Sequence, residues 1–83
     1  MYHEEFNSLS VFEKEAILIR SGIMQGACHC FGSYLSVFRL EEFYVEVWKR
    51  EKDSVPEAIM IIDSKIWLDL YLAKINEQLV WNK

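Results

Sequence analysis

The sequence predicts one α+β domain over residues 1–83, with the element order αβββα. The expected sheet has three antiparallel strands, with the helices packed on one face. Three observations support this prediction. Apolar residues recur at helical spacing near both ends of the chain, and β-branched and aromatic residues dominate its middle. The connections between these segments are short, which favours hairpin pairing of consecutive strands.

The first helix is predicted at 9–21. Ser10 and Glu13 have the Ser-x-x-Glu spacing of a capping box, in which each side chain satisfies a backbone N–H of the first turn. Gly22 follows as a residue that can end a helix. One apolar stripe at four- and three-residue steps is expected to face the core. It comprises Phe12, Ala16, Ile19 and Ile23.

The strands are predicted at 33–40, 43–49 and 58–62. The segment 23–32 fits either a short strand or an irregular crossover, and both interpretations stay open. The charged segment 50–57 contains the only proline and predicts a turn. Alternation along the middle strand places Glu46 on the same face as Tyr44 and Trp48. A carboxylate against aromatic rings has a raised pKa through desolvation, whereas a solvent-facing glutamate is the more common arrangement.

The final helix is predicted from Asp63 or Ser64 to about Val80, with no Gly or Pro to interrupt it. Its core-facing stripe comprises Trp67, Leu68, Tyr71, Leu72, Ile75 and Leu79. A second group of apolar side chains falls largely on the opposite side. Either the first helix covers this group, or its members are scattered exposed aliphatics, or it contacts a partner. The expected contact residues are Ile66, Leu70, Ala73, Val80 and Trp81.

Cys28-His29-Cys30 is the one local grouping of metal-ligand side chains. Structural zinc sites usually separate paired cysteines by two to four residues and require four ligands, and His3 is the only other histidine or cysteine. In a strand, His29 points away from both cysteines. We therefore expect the thiols to belong to the core, with no metal. A small-ligand or metal site at this segment is the alternative.

The charge of the chain and its lack of known binding motifs disfavour several classes of function. Thirteen acidic and nine basic residues leave a formal charge of −4, which disfavours binding to polyanions. The αβββα order is similar to that of double-stranded-RNA-binding domains. That family, however, has a lysine-rich start to its second helix, and 63–69 holds only Lys65. Gly22, Gly26 and Gly32 fit no nucleotide-binding spacing. We expect neither nucleic-acid binding nor a cofactor nor catalysis.

The apolar runs 16–19 and 58–62 are far shorter than the ~20 residues of a membrane span. The acidic start of the chain is unlike a secretory signal, so we expect a cytoplasmic protein that does not enter membranes. The function that remains is a non-enzymatic protein-interaction or regulatory module. We expect it to form a homo-oligomer, most simply a homodimer, through the last helix.

Overall fold

A computed structural model describes residues 2–81 and the side chains of residues 2–78. In this part of the chain, three helices and four strands follow one another. They are α1 (His3–Asn7), α2 (Val11–Ser21), β1 (Ile23–Cys30), β2 (Ser33–Leu40), β3 (Phe43–Lys49), β4 (Pro56–Ile62) and α3 (Lys65–Trp81). The α+β class is confirmed. The order αβββα is wrong, because a short helix precedes the predicted first helix and a fourth strand follows it. The similarity in element order to double-stranded-RNA-binding domains is lost with it.

The four strands form one antiparallel sheet in the order β1-β2-β3-β4, so the expected count of three is wrong. The additional strand is β1, which occupies most of the segment 23–32. Its signal in the sequence is weak because Gly26 interrupts it, and the pairing with β2 shifts register between Met24 and Gly26. A two-residue turn joins β1 to β2, with positive φ at both Phe31 (53°) and Gly32 (76°). Tight hairpins prefer this geometry, here without the usual Asn-Gly signal.

The helices pack on both faces of the sheet, so the prediction of one covered face is also wrong. Successive strand residues point to opposite faces, and each face has its own core. On one face, which α1 and α2 cover, the α2 core comprises Phe6, Leu18, Leu40, Phe43, Val45, Val47 and Ile59. On the other face, which α3 covers, the α3 core comprises Cys28, Cys30, Leu35, Val37, Tyr71 and Ile75. The sheet is therefore the middle layer of three.

Helix α2 begins as the capping box predicts. The Ser10 Oγ accepts the Glu13 N–H at 3.2 Å, and the Glu13 carboxylate accepts the Ser10 N–H at 2.9 Å. The face that α2 turns towards the sheet was not predicted. Leu18 is buried, and Val11 and Ile17 pack beside it. The stripe that we expected in the core, from Phe12 to Ile23, lies on the solvent side instead.

Side chains from the helices cover backbone groups at both edges of the sheet. On β1, the Gln78 side chain accepts the His29 N–H at 3.2 Å and donates to the His29 carbonyl oxygen at 2.8 Å. On β4, the Lys14 Nζ donates to the Ile59 carbonyl oxygen at 3.0 Å. Each contact joins a helix to the edge strand beside it, and so reduces the number of edge groups free to pair with another strand.

Candidate partner surface

Ser64 sets the start of α3. Its Oγ accepts the Trp67 N–H at 3.4 Å, which satisfies one of the N–H groups that the first turn leaves unpaired. From there the helix packs on the face of the sheet opposite to α1 and α2. Tyr71 and Ile75 on its inner side are buried. Leu68 and Leu72 pack partly against the same core. Trp67 belonged to the predicted core stripe, but 48 % of it is exposed.

The outer side of α3 is the surface on which the sequence placed partner contacts. Ile66 is 81 % exposed and Leu70 is 38 % exposed. Ala73, on the same side of the helix, is exposed too. Helices α1 and α2 lie beyond the sheet, so they do not reach this side. Val80 and Trp81 lie outside the described side chains. We call Ile66, Leu70 and Ala73 the α3 strip.

A second uncovered apolar surface lies on α2, where the sequence placed the core stripe. Phe12 is 74 % exposed, Ile19 is 79 % exposed, and Ala16 between them is exposed. Ile23 and Met24 at the start of β1 extend this surface. We call these five residues the α2 strip. Sequence reasoning missed it as a surface, although α2 carries apolar residues on two sides and its core could bury only one of them.

A small cleft of about 140 Å³ separates α2 from the open part of the sheet. Leu18 and Ile19 form its helix side, and Phe38 and Val47 form its sheet side. The cleft is mainly apolar, and it continues the α2 strip inward. A wider depression of about 590 Å³ lies between α1 and the β2–β3 turn. Its polar side chains are exposed and mostly acidic, so it contains no buried polar group that would orient a ligand.

The structure separates the side chains of the Cys28-His29-Cys30 segment. Both thiols are free and buried against α3. His29 is exposed on the opposite face, where its ring and the Tyr34 ring form a T-shaped pair with their centroids 5.4 Å apart. Burial raises the pKa of both thiols, and the positive charge of Lys74 partly opposes this effect. Among the described residues no group of three or more His, Cys, Asp or Glu side chains could hold a metal ion.

A carboxylate lies among aromatic rings near the start of α3. Glu46 projects from β3, and its carboxylate accepts the Trp48 Nε1–H at 2.8 Å. Burial raises the pKa of Tyr71, and so do the charge of Glu46 and its hydrogen bond with the Tyr71 hydroxyl. The rings of Trp48 and Tyr71 pack edge to face with their centroids 5.9 Å apart, and the Trp67 ring lies tilted against Tyr71 with a centroid distance of 5.8 Å. The sequence placed Glu46 beside Tyr44 and Trp48, but did not anticipate the two rings from α3.

Comparison with protein-family models, with curated proteins and with solved structures found no match to this chain. No helix within residues 2–81 is long and apolar enough to cross a membrane.

Proposed function

We propose that this protein is a non-enzymatic protein-interaction module that self-associates through the α3 strip. One observation carries the proposal: Ile66 and Leu70 are exposed on the outer side of a helix whose inner side already fills a core. Apolar side chains scattered singly on a surface need no explanation, but these share one side of one helix. A homodimer with two-fold symmetry would bring the strip of one copy against the same strip of its partner.

The mechanism of association would be burial of apolar area. Each Å² removed from water contributes about 25 cal/mol, and the total must exceed the entropy lost when two molecules become one. A stable interface buries about 800 Å² on each partner, which is more than Ile66, Leu70 and Ala73 supply alone. Neighbouring exposed side chains of α3 would have to supply the remaining area.

The proposal predicts that a charge within the α3 strip dissociates the assembly. Ile66→Glu and Leu70→Glu would each force a carboxylate into the apolar contact, where it has no partner. We expect both variants to sediment as monomers with an unchanged circular dichroism spectrum. Asn7→Glu is the matched control, because it adds the same charge at an exposed position on α1, away from α3. Wild-type protein that remains monomeric at high micromolar concentration would refute self-association.

The α2 strip is the second candidate surface. Its support is that it presents more exposed apolar residues than the α3 strip and adjoins a cleft. Ile19→Gln and Arg20→Gln place the same side chain at neighbouring positions on α2, of which only the first belongs to the strip. If Ile19→Gln dissociates the assembly while Ile66→Glu does not, self-association stands and the proposed surface is wrong.

A further inference from the structure

The pocket at the start of α3 has the features of a site for an organic cation. It has a volume of about 220 Å³ and opens to the surface where β3 and β4 meet the first turns of α3. The residues that line it include two acidic residues, Glu46 and Asp63, two aromatic residues, Trp67 and Tyr71, and Met60. The described residues that line it include no Lys, Arg or His.

We propose that this pocket binds a methylated ammonium group, with the Trp67 ring, backed by Tyr71, as the aromatic wall and Glu46 as the counter-ion. A cation over the face of an aromatic ring is attracted by the electron-rich face, and tryptophan gives the strongest attraction. Trp67 remains about half exposed, so its ring is available to a ligand, while Tyr71 behind it is buried and fixed. The inference does not depend on the proposed self-association.

The negative charge of the pocket is held in place without being neutralised. Glu46 is partly buried, and its carboxylate accepts the Trp48 Nε1–H at 2.8 Å. This donor is uncharged, so it orients the carboxylate and leaves its charge for a ligand. Partial burial strengthens the attraction between this charge and a cation, because less water screens it.

The first turn of α3 opposes a cation, since the N-terminal end of a helix carries about half a positive charge. Two features limit that effect. The Ser64 Oγ already accepts the Trp67 N–H, and Asp63 adds a second carboxylate beside Glu46. A compact ammonium or alkali ion holds its water strongly, whereas a methylated ammonium carries apolar methyl groups that suit Trp67 and Met60. The pocket therefore favours the methylated cation.

Choline and its uncharged carbon analogue, 3,3-dimethylbutan-1-ol, test the proposal, because the two have similar shape and differ in charge. We expect choline, titrated into the ¹⁵N-labelled protein, to shift the Trp67 indole resonance with a millimolar dissociation constant. The neutral analogue should cause little shift. Equal binding of the two compounds, or choline shifts spread evenly over the surface, would overturn the proposal.

Substitutions of Glu46 and Trp67 test whether these two side chains bind the cation. Glu46→Gln removes the proposed counter-ion, and Glu57→Gln removes the same charge at an exposed position on β4. Glu46→Gln should weaken choline binding markedly, while Glu57→Gln leaves it nearly unchanged; equal effects would mean that only the net charge matters. Trp67→Leu, at a half-exposed position, should weaken binding roughly five- to thirtyfold. Unchanged affinity in that variant would also refute the site.

Two sources could supply the methylated ammonium group, a free metabolite or a modified lysine side chain. A titration with N-acetyl-trimethyllysine amide beside choline distinguishes them. Tighter binding of the lysine derivative identifies a protein side chain as the natural ligand, and tighter binding of choline identifies a free cation. Either result supports the proposed chemistry, whereas failure of both compounds to bind overturns it.

Discussion

Of the three glycines, Gly26 has the least room for a Cβ atom. It lies in β1 with φ of +153°, beneath Ile75 of α3. A Cβ atom at this position would lie 2.5 Å from the Ile75 Cγ2, and Ile75 is itself buried. The glycine thus allows α3 to approach β1 closely, and the same residue weakens the strand signal in the sequence.

Gly26→Ala should lower the free energy of unfolding by about 1–3 kcal/mol, since the added methyl group forces a buried neighbour to move. Urea denaturation measures this loss. Ile75→Leu moves the branch of the side chain away from the Cβ, so the double variant Gly26→Ala/Ile75→Leu should recover part of the stability relative to the sum of the single changes. Strict additivity would show that the Gly26–Ile75 contact is not the cause.

At the scale of elements, the β1 edge depends on a helix for protection. β1 contains no Lys, Arg, Asp, Glu or Pro, the residues that usually discourage pairing at a strand edge. Its protection comes from the register shift near Gly26 and from the two hydrogen bonds of Gln78 to His29. β4 differs, because it begins with Pro56 and Glu57 and also receives Lys14.

Gln78→Ala should therefore expose the backbone of β1 locally. Loss of one hydrogen bond costs about 0.5–1.5 kcal/mol, so the His29 amide should exchange with solvent roughly two- to tenfold faster. Hydrogen exchange followed by NMR resolves this one amide. Asn76→Ala, at an exposed position two residues earlier, serves as the control. Equal exchange of His29 in wild type and Gln78→Ala would show that the carboxamide does not protect the edge.

The two long helices show how far periodicity alone determines which side is buried. On α3, Tyr71 and Ile75 are buried as their spacing predicts. On α2, the periodic stripe is exposed, and the buried side includes Lys14, whose Nζ reaches the β4 edge. A long lysine stem can cover apolar surface while its charged end finds a polar partner. A lysine on the side of a helix that faces the core therefore makes that side look polar, and hydrophobic periodicity then predicts the wrong buried side.

At the scale of the whole molecule, one sheet separates two cores, and the α3 core holds three titratable groups. Burial is the largest cause that raises the pKa of Cys28, Cys30 and Tyr71 above their ordinary values, 9.0 for the thiols and 10.0 for the phenol. The folded state thus favours the neutral forms, while the unfolded chain loses these protons at lower pH. The stability that they contribute is complete below the unfolded pKa values and is lost as pH rises through the folded ones.

We therefore expect the free energy of unfolding to decline as pH rises above about 9. Urea denaturation between pH 7.5 and 10 measures the slope. A Cys28→Ala/Cys30→Ala variant should show a flatter profile over the lower part of this range. Parallel profiles of the two proteins would exclude the thiols as its origin.

Sequence pattern was sufficient to predict the α+β class, the Ser10–Glu13 cap, the strands from Ser33 onwards and, with the exception of Trp67, the described part of the inner side of α3. These features depend on contacts between near neighbours in the chain, or on a periodicity strong enough to survive in isolation. The sequence could not decide between a strand and a crossover at 23–32, because Gly26 serves a contact with Ile75, 49 residues away. The placement of α2 and α3 on opposite faces of the sheet could not be predicted. Both faces of the strands carry apolar residues, so local pattern does not indicate which helix covers which face. The same long-range packing brought Trp67 and Tyr71 to Glu46 and left the α2 strip exposed.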